Sequence, residues 1–398
     1  KYTLAGAYDS NVALLLTVGD DRLMSYERMA EVLRKMTIDG QDVQTNLEFH
    51  YGLVHWFLAQ NPYAKSTTAF IQPYLTLTGL LFDEAKKLDL DAGFEHLASQ
   101  SAYPEVFARK KTLVIRPLQR LLTNPHLLIG WISKVRRNWS IEADQFSWNT
   151  NPFNELADLY HYLNMDFVEG APALEVIWDH DQVILEQGLS FYQDLEDRLG
   201  THNWSEWLKI LASDQAPEGM DAALWSDIQS AHTGFQAGLE LMGAVAKSAL
   251  AVGFDELRVN DDLTVTIPDR FKEPELTERA RKILVPPPVS SANELVAVSG
   301  GMFYAQETPG APNFLEVGSH FDVGDPLYII EVMKMFNKVY AEFSGTVTEV
   351  LIERGDGVIV KQGEPLYRIE PDEVAEEVDE EALAKARLSH TVEQLNAL

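Results

Sequence analysis

Cysteine is absent from the 398 residues, which excludes disulfides and every thiolate metal site. Basic residues are scarce: 32 Lys and Arg stand against 61 Asp and Glu, giving a formal net charge of −29. Such a chain repels phosphate backbones, so no nucleic-acid partner is expected. ATP and acyl-CoA are polyanions too, and their sites would need local basic pockets or another chain. There is no run of 18 or more apolar residues, and Lys1-Tyr2-Thr3-Leu4 is no signal peptide, so no membrane association and a cytoplasmic setting are expected. No glycine-rich loop of the kind that cradles nucleotide phosphates is found. The first residue is not Met, which predicts a piece of a longer polypeptide. With 46% hydrophobic residues, core burial is not limiting, and the length suits two or three domains.

What is present is an internal repeat. Gly324-Asp325-Pro326-Leu327-Tyr328-Ile329-Ile330-Glu331 returns 39 residues later as Gly363-Glu364-Pro365-Leu366-Tyr367-Arg368-Ile369-Glu370, and Gly318 pairs with Gly357 at the same offset. Two Gly-bounded sets of short strands fold most simply as two interlocked β-layers related by a pseudo-twofold axis. Lys334 falls where the copies meet, at the tip far from both ends of the repeat. Leu327 to Val332 and Phe336 to Glu342 read as strands, so Met333-Lys334 occupies a hairpin tip. Tight hairpin turns favour Asn-Gly, Asp-Gly or Gly-X, and Met-Lys is none of them. A broken local rule without structural gain is where function is expected.

Met333-Lys334-Met335 at such a tip resembles the signature of the biotinyl domain, the carboxyl carrier of biotin-dependent carboxylases. The similarity runs from about Glu294 to Pro371. The stretch Met302-Phe303-Tyr304 followed by Gln306 to Phe314 resembles the protruding thumb of bacterial acetyl-CoA carboxylase carriers. Two departures are Ser299-Gly300-Gly301-Met302 in place of Ser-Pro-Met, and Glu331-Val332 where the family has Glu-Ala. The resemblance implies covalent biotin on Lys334, with Met333 and Met335 read by a biotin protein ligase. Two alternatives stay open: a lipoyl domain, which shares the fold and the tip lysine, and an unmodified interaction or scaffold protein.

Nearer the start, a strand is expected from Val12 to Val18 and helices from Ser25 to Met36, capped by Ser25, and from Asn46 to Ala59, capped by Asn46. Ala7 to Leu15, Thr37 to Asn46 and a Thr67-Thr68-Ala69-Phe70-Ile71 strand resemble the end of a biotin carboxylase domain. That likeness covers roughly residues 1–76. It implies that the ATP-grasp site lies upstream, so no catalytic residue is expected on this chain, and Asp9, Ser10 and Asp39 receive no role. No His is spaced with carboxylates as a metal ligand. Residues 81–284 read as mainly helical, with a hairpin turning at Asn260-Asp261-Asp262. A basic cluster at Arg109, Lys110, Lys111, Arg116, Arg120, Lys134, Arg136 and Arg137 reads either as a site for CoA phosphates or an acidic partner or, preferably, as solvated helix faces and internal ion pairs.

The expected architecture is multidomain α+β. Residues 1–80 form an α/β fragment of a biotin carboxylase domain, and 81–284 a helical middle domain that could tether a carboxyltransferase. Next come a Pro-rich linker over 285–293, a flattened β-barrel or sandwich over 294–371, and an acidic, solvated tail over 372–398. By resemblance, the parent enzyme uses ATP, Mg and bicarbonate to carboxylate biotin and passes the carboxyl group to a carboxyltransferase domain or subunit acting on an acyl-CoA. Such enzymes assemble as homo-oligomers.

Overall fold

The computed structural model describes residues 13–38, 45–143, 145–166, 179–284, 293–308, 310–332, 335–352, 357–361, 363–372 and 380–398. Asp9 and Ser10, Asp39, most of the Pro-rich linker and the acidic run 373–379 lie outside them. The chain divides into two compact units: a helical one comprising 17–37, 46–280 and 381–398, and a β-rich one centred on 281–380.

Among its described residues the β-rich unit has eight strands: β1 Glu294–Val296, β2 Gly301–Tyr304, β3 His320–Phe321, β4 Pro326–Val332, β5 Met335–Tyr340, β6 Gly345–Val350, β7 Val358–Val360 and β8 Pro365–Pro371. They form two four-stranded sheets, ordered β1-β8-β6-β3 and β7-β2-β4-β5, in which every pairing is antiparallel. Exchanging each strand for its counterpart four places along the chain converts one sheet into the other. Neither half can therefore complete a sheet alone. The repeated apolar residues Leu327 and Leu366, Tyr328 and Tyr367, and Ile330 and Ile369 all lie buried in one core between the sheets.

Gly318 and Gly357 both turn through positive φ (85° and 80°), as do Gly324 and Gly363 (92° and 79°), a conformation open to glycine at little cost. Gly318 N donates to Val347 O and Gly357 N to Phe303 O, each at 2.7 Å. These donors stand 39 residues apart and their acceptors 44. The first copy thus carries five extra residues after β2, in the segment read as a thumb.

The helical unit departs from expectation near the start. Among the described residues from Ala13 to Ala85 there is no strand. Leu14, Leu16 and Val18 are strongly exposed, and a lone extended segment without a partner strand has nothing to pair its backbone with. Thr68–Phe70 is a 3-10 turn leading into the helix Ile71–Ala85, because Phe70 is needed in a ring cluster with Trp56, Phe57 and Tyr74 at 4.8 to 5.6 Å. Burial of that ring overrides the β preference of Thr-Thr-Ala-Phe-Ile. The expected boundary at residue 80 falls inside this helix, whose Leu80 and Leu81 are both buried. Asp21, not Ser25, caps the helix Arg22–Lys35 by accepting from Met24 N at 2.8 Å, and Asn46 makes no side-chain cap on Leu47–Gln60.

Further along, the helices Ala222–Gln236 and Glu240–Ala251 are parted at Gly238 with φ +84°. A hairpin that the sequence reading missed, Trp139–Glu142 with Gln145–Trp148, stacks Trp139 on Phe146 at 5.1 Å. The expected hairpin is present as Arg258–Val259 with Val265–Thr266. Helices Leu47–Gln60 and Pro125–Val135 meet backbone to backbone at Gly52 and Gly130: a Cβ on Gly52 would stand 2.3 Å from His126 O, and one on Gly130 would stand 2.9 Å from Gly52 Cα.

Gly52→Ala should therefore lower stability by about 1–3 kcal/mol through overpacking, read as a lower urea midpoint at unchanged slope.

Candidate functional site

Strands β4 and β5 pair with Val332 opposite Met335, Glu331 opposite Phe336 and Ile330 opposite Asn337. The two residues between the paired ends are Met333 and Lys334, which lie outside the described residues, as does the side chain of Met335. The expected hairpin strands are thus present, ending on the two residues that flank the Met333–Lys334 pair. Position relative to the rest of the domain follows from register. Strand β5 ends at Tyr340, and five residues on Gly345 opens β6 opposite Pro371, the last residue of β8. Ile369 N donates to Asn293 O at 2.8 Å, so the chain enters and leaves side by side at the end remote from Val332 and Met335.

The outer face of the hairpin's sheet carries a registered row. Ile359 on β7 lies opposite Met302 on β2, Met302 opposite Glu331 on β4, and Glu331 opposite Phe336 on β5. Phe336 is 63% exposed and Ile359 69%. Tyr304 donates from its hydroxyl to Glu331 Oε2 at 2.6 Å, and its ring meets that of Phe336 at 5.6 Å. That contact fixes the carboxylate three positions before Lys334. The sequence reading named Tyr304 within the thumb motif without giving it this partner. The available signal was alternation: buried Phe303 places Met302 and Tyr304 on the opposite face.

After Tyr304 the chain makes the expected thumb. It is closed at its base by an isolated bridge between Gln306 and Asn313 and by Phe314 N donating to Ala305 O at 2.8 Å. Lys338 on β5 ties it down, with Nζ 2.6 Å from Glu307 Oε1 and 5.6 Å from the centre of the Phe314 ring. The Glu307 carboxylate holds the Lys338 ammonium above the usual lysine range, so this amine is a committed cation rather than a nucleophile. Lys282 is likewise paired with Glu342, at 3.3 Å. The hairpin therefore fits a group attached through an amide at Lys334: its described lysine, Lys338, is held by Glu307, while Phe336, Met302 and Ile359 line the outer face of the strands that end beside Met333 and Lys334.

The basic cluster of the helical unit offers no comparable site. Lys110 is buried and its Nζ donates to the carbonyls of Gly234 (3.1 Å), Phe235 and Ala237 (3.0 Å) at the end of the helix Ala222–Gln236. Burial pulls its ammonium down to about 7. Lys111 pairs with Asp91 and Glu95, Lys134 with Asp158 and Arg136 with Asp255, while Arg137 donates to Gln60 O. These side chains make the internal ion pairs and backbone contacts preferred above. No group of three or more His, Asp or Glu able to hold a metal occurs among the described residues. None of the described helices is long and apolar enough to cross a membrane.

Residues 296–369 match the family model described as biotin-requiring enzyme. The C-terminal domain is a biotinyl domain of the carboxyl carrier type. It is similar to the biotin carboxyl carrier protein of acetyl-CoA carboxylase from Nostoc sp., 40% identical over 79 residues, which is 20% of this chain and 42% of that protein. The corresponding protein of Pseudomonas aeruginosa is 45% identical over 69 residues (17% and 43%), and that of Haemophilus influenzae 46% over 70 (18% and 44%). The chain spans less than half the length of these relatives, and the matches account for about a fifth of the chain.

Near the chain's exit from this domain, His320 Nε2 lies 2.7 Å from Asp372 Oδ2, and that contact holds the imidazolium above the usual histidine range. A raised folded-state value means that the pairing favours the folded exit below about pH 6.5 and is lost as pH rises through the folded pKa. An NMR titration should show the His320 midpoint above 6.5, and Asp372→Asn should return it toward the ordinary value.

Proposed function

We propose that the C-terminal domain carries biotin as an amide on Lys334 and acts as the carboxyl carrier of a biotin-dependent acyl-CoA carboxylase. The observation that carries this reading is the hairpin register, which leaves only Met333 and Lys334 between paired Val332 and Met335 in a domain of the biotinyl type. Bound biotin supplies a ureido nitrogen that takes up and gives up a carboxyl group. The residues of this chain supply attachment and presentation. Acylation of Lys334 Nζ removes one positive charge from the tip, and Met333 and Met335 flank it as unbranched, polarizable contacts for the enzyme that attaches the group. A domain that presents a tethered group raises its effective concentration at each site it visits.

The partners in this reading are a biotin protein ligase, a biotin carboxylase that consumes ATP with Mg and bicarbonate, and a carboxyltransferase domain or subunit, within a homo-oligomeric assembly. The likeness of residues 1–76 to the end of a biotin carboxylase domain is the weaker support, since its described part is helical. Identity to carboxyl carriers favours biotin over lipoate.

Co-expression with a biotin ligase should give a streptavidin-positive chain, with the biotin increment on the peptide holding Lys334 and none on Lys338. Lys334→Arg should lose the signal with an unchanged melting midpoint. A lipoyl increment at the same residue would instead assign the domain to that class, and an unmodified Lys334 in protein from the native source would leave an interaction role.

A further inference from the structure

The biotinyl domain lies in the chain between two helices anchored in the helical unit, the first through its residues up to Ala280 and the second from Glu381 onward. The preceding one, Pro274–Leu284, is held there by Ala280, whose Cα lies 2.8 Å from where a Cβ on Gly79 would stand, and by an Arg279–Asp83 ion pair. The following one, Glu380–Asn396, belongs to the segment expected as a solvated tail, and its last turns are not solvated. Thr391 is fully buried and its Oγ1 accepts from Asp89 N at 2.8 Å, while Asp89 itself caps the helix Leu90–Gln100. The Thr391 methyl and Leu395 lie over Gly93, 2.8 and 3.6 Å from the position of its missing Cβ. Leu398 lies over Gly243 on the helix Glu240–Ala251, and Lys247 Nζ donates to Ala397 O at 3.0 Å. Thr391, Leu395 and Leu398 recur at helical spacing on one face, and the groove accepts them because Gly93 and Gly243 have no side chain. Residues 382–389, one to three turns earlier, are exposed.

We infer that residues 390–398 are a second anchor, which makes the biotinyl domain a doubly tethered insertion in the helical unit rather than a terminal arm. The connections are short: Leu284 to Asn293 spans at most roughly 31 Å, and Asp372 to Glu380 at most roughly 28 Å, at about 3.5 Å per residue. Asn293 and Pro371 leave the domain side by side, so two tethers from one end limit rotation more than travel. With the anchor docked, the domain is joined to the helical unit by two connections at one end. With it released, the domain turns about a single connection. This restriction of motion does not depend on what Lys334 carries.

The absence of cysteine allows a clean test in the full chain. A fluorophore on Thr348→Cys, exposed on β6, reports the rotational correlation time of the domain through time-resolved anisotropy. Thr391→Lys with Leu395→Asp should release the anchor: amides of 391–398 lose exchange protection, those of the helix Pro125–Val135 keep theirs, and the correlation time falls about twofold. If Pro125–Val135 also loses protection, a chain ending at Ser389 replaces the double variant and the same fall is expected. Free exchange of 391–398 in the unaltered chain, or an unchanged correlation time once those amides are released, would overturn the inference.

Discussion

The β-rich unit rests on one constraint: each half of the repeat must lend strands to the other half's sheet. Strands β1 and β3 from the first half border β8 and β6 from the second, while β7 and β5 border β2 and β4. Folding is therefore concerted across the hairpin that joins the halves, because a half without its counterpart would expose edges on every strand. The glycines that turn through positive φ at equivalent positions keep the crossings in step. The hairpin is the covalent join between the copies, and its end of the domain is left clear because the entering and leaving chain is confined to the other end.

The helical unit is built on a different economy of space. Glycine lets backbones or buried side chains approach at Gly52 against Gly130, at Gly79 under Ala280, and at Gly93 and Gly243 under the C-terminal segment. Three buried polar groups are answered by backbone: Lys110 by three carbonyls at a helix end, Tyr160 by Leu113 O and Tyr162 by Leu127 O. Such internal satisfaction is what a rigid support needs, and it accounts for charges that looked available for a ligand when only the chain was in view.

Legibility followed the range of the interactions involved. The repeat, the hairpin and the thumb could be read because periodic glycines, alternation and a short motif are local signals. The sheet order was not stated in advance, since cross-strand partners up to 74 residues apart, as in Arg368 with Glu294, leave no local trace. The N-terminal segment was misread for a related reason: Thr67 to Ile71 has strand-forming composition, but the demand for Phe70 in a ring cluster is tertiary. The C-terminal segment looked like a solvated tail because Thr391, Leu395 and Leu398 are sparse in a charged context, and their groove is made by residues some 150 to 300 positions earlier. At the site, Lys334 stood out by motif, whereas the Tyr304–Glu331 contact required the register.

The five additional residues after β2 have a further consequence. A body with twofold internal symmetry presents the same relief at two places, and a visitor that recognises relief alone would find two equivalent corners. The outgrowth clasped by Lys338 removes that ambiguity by giving the domain a front and a back. The outgrowth is rooted in the core through Phe314 and Leu315, so the same interlocked layers that carry the hairpin also fix where the asymmetry lies.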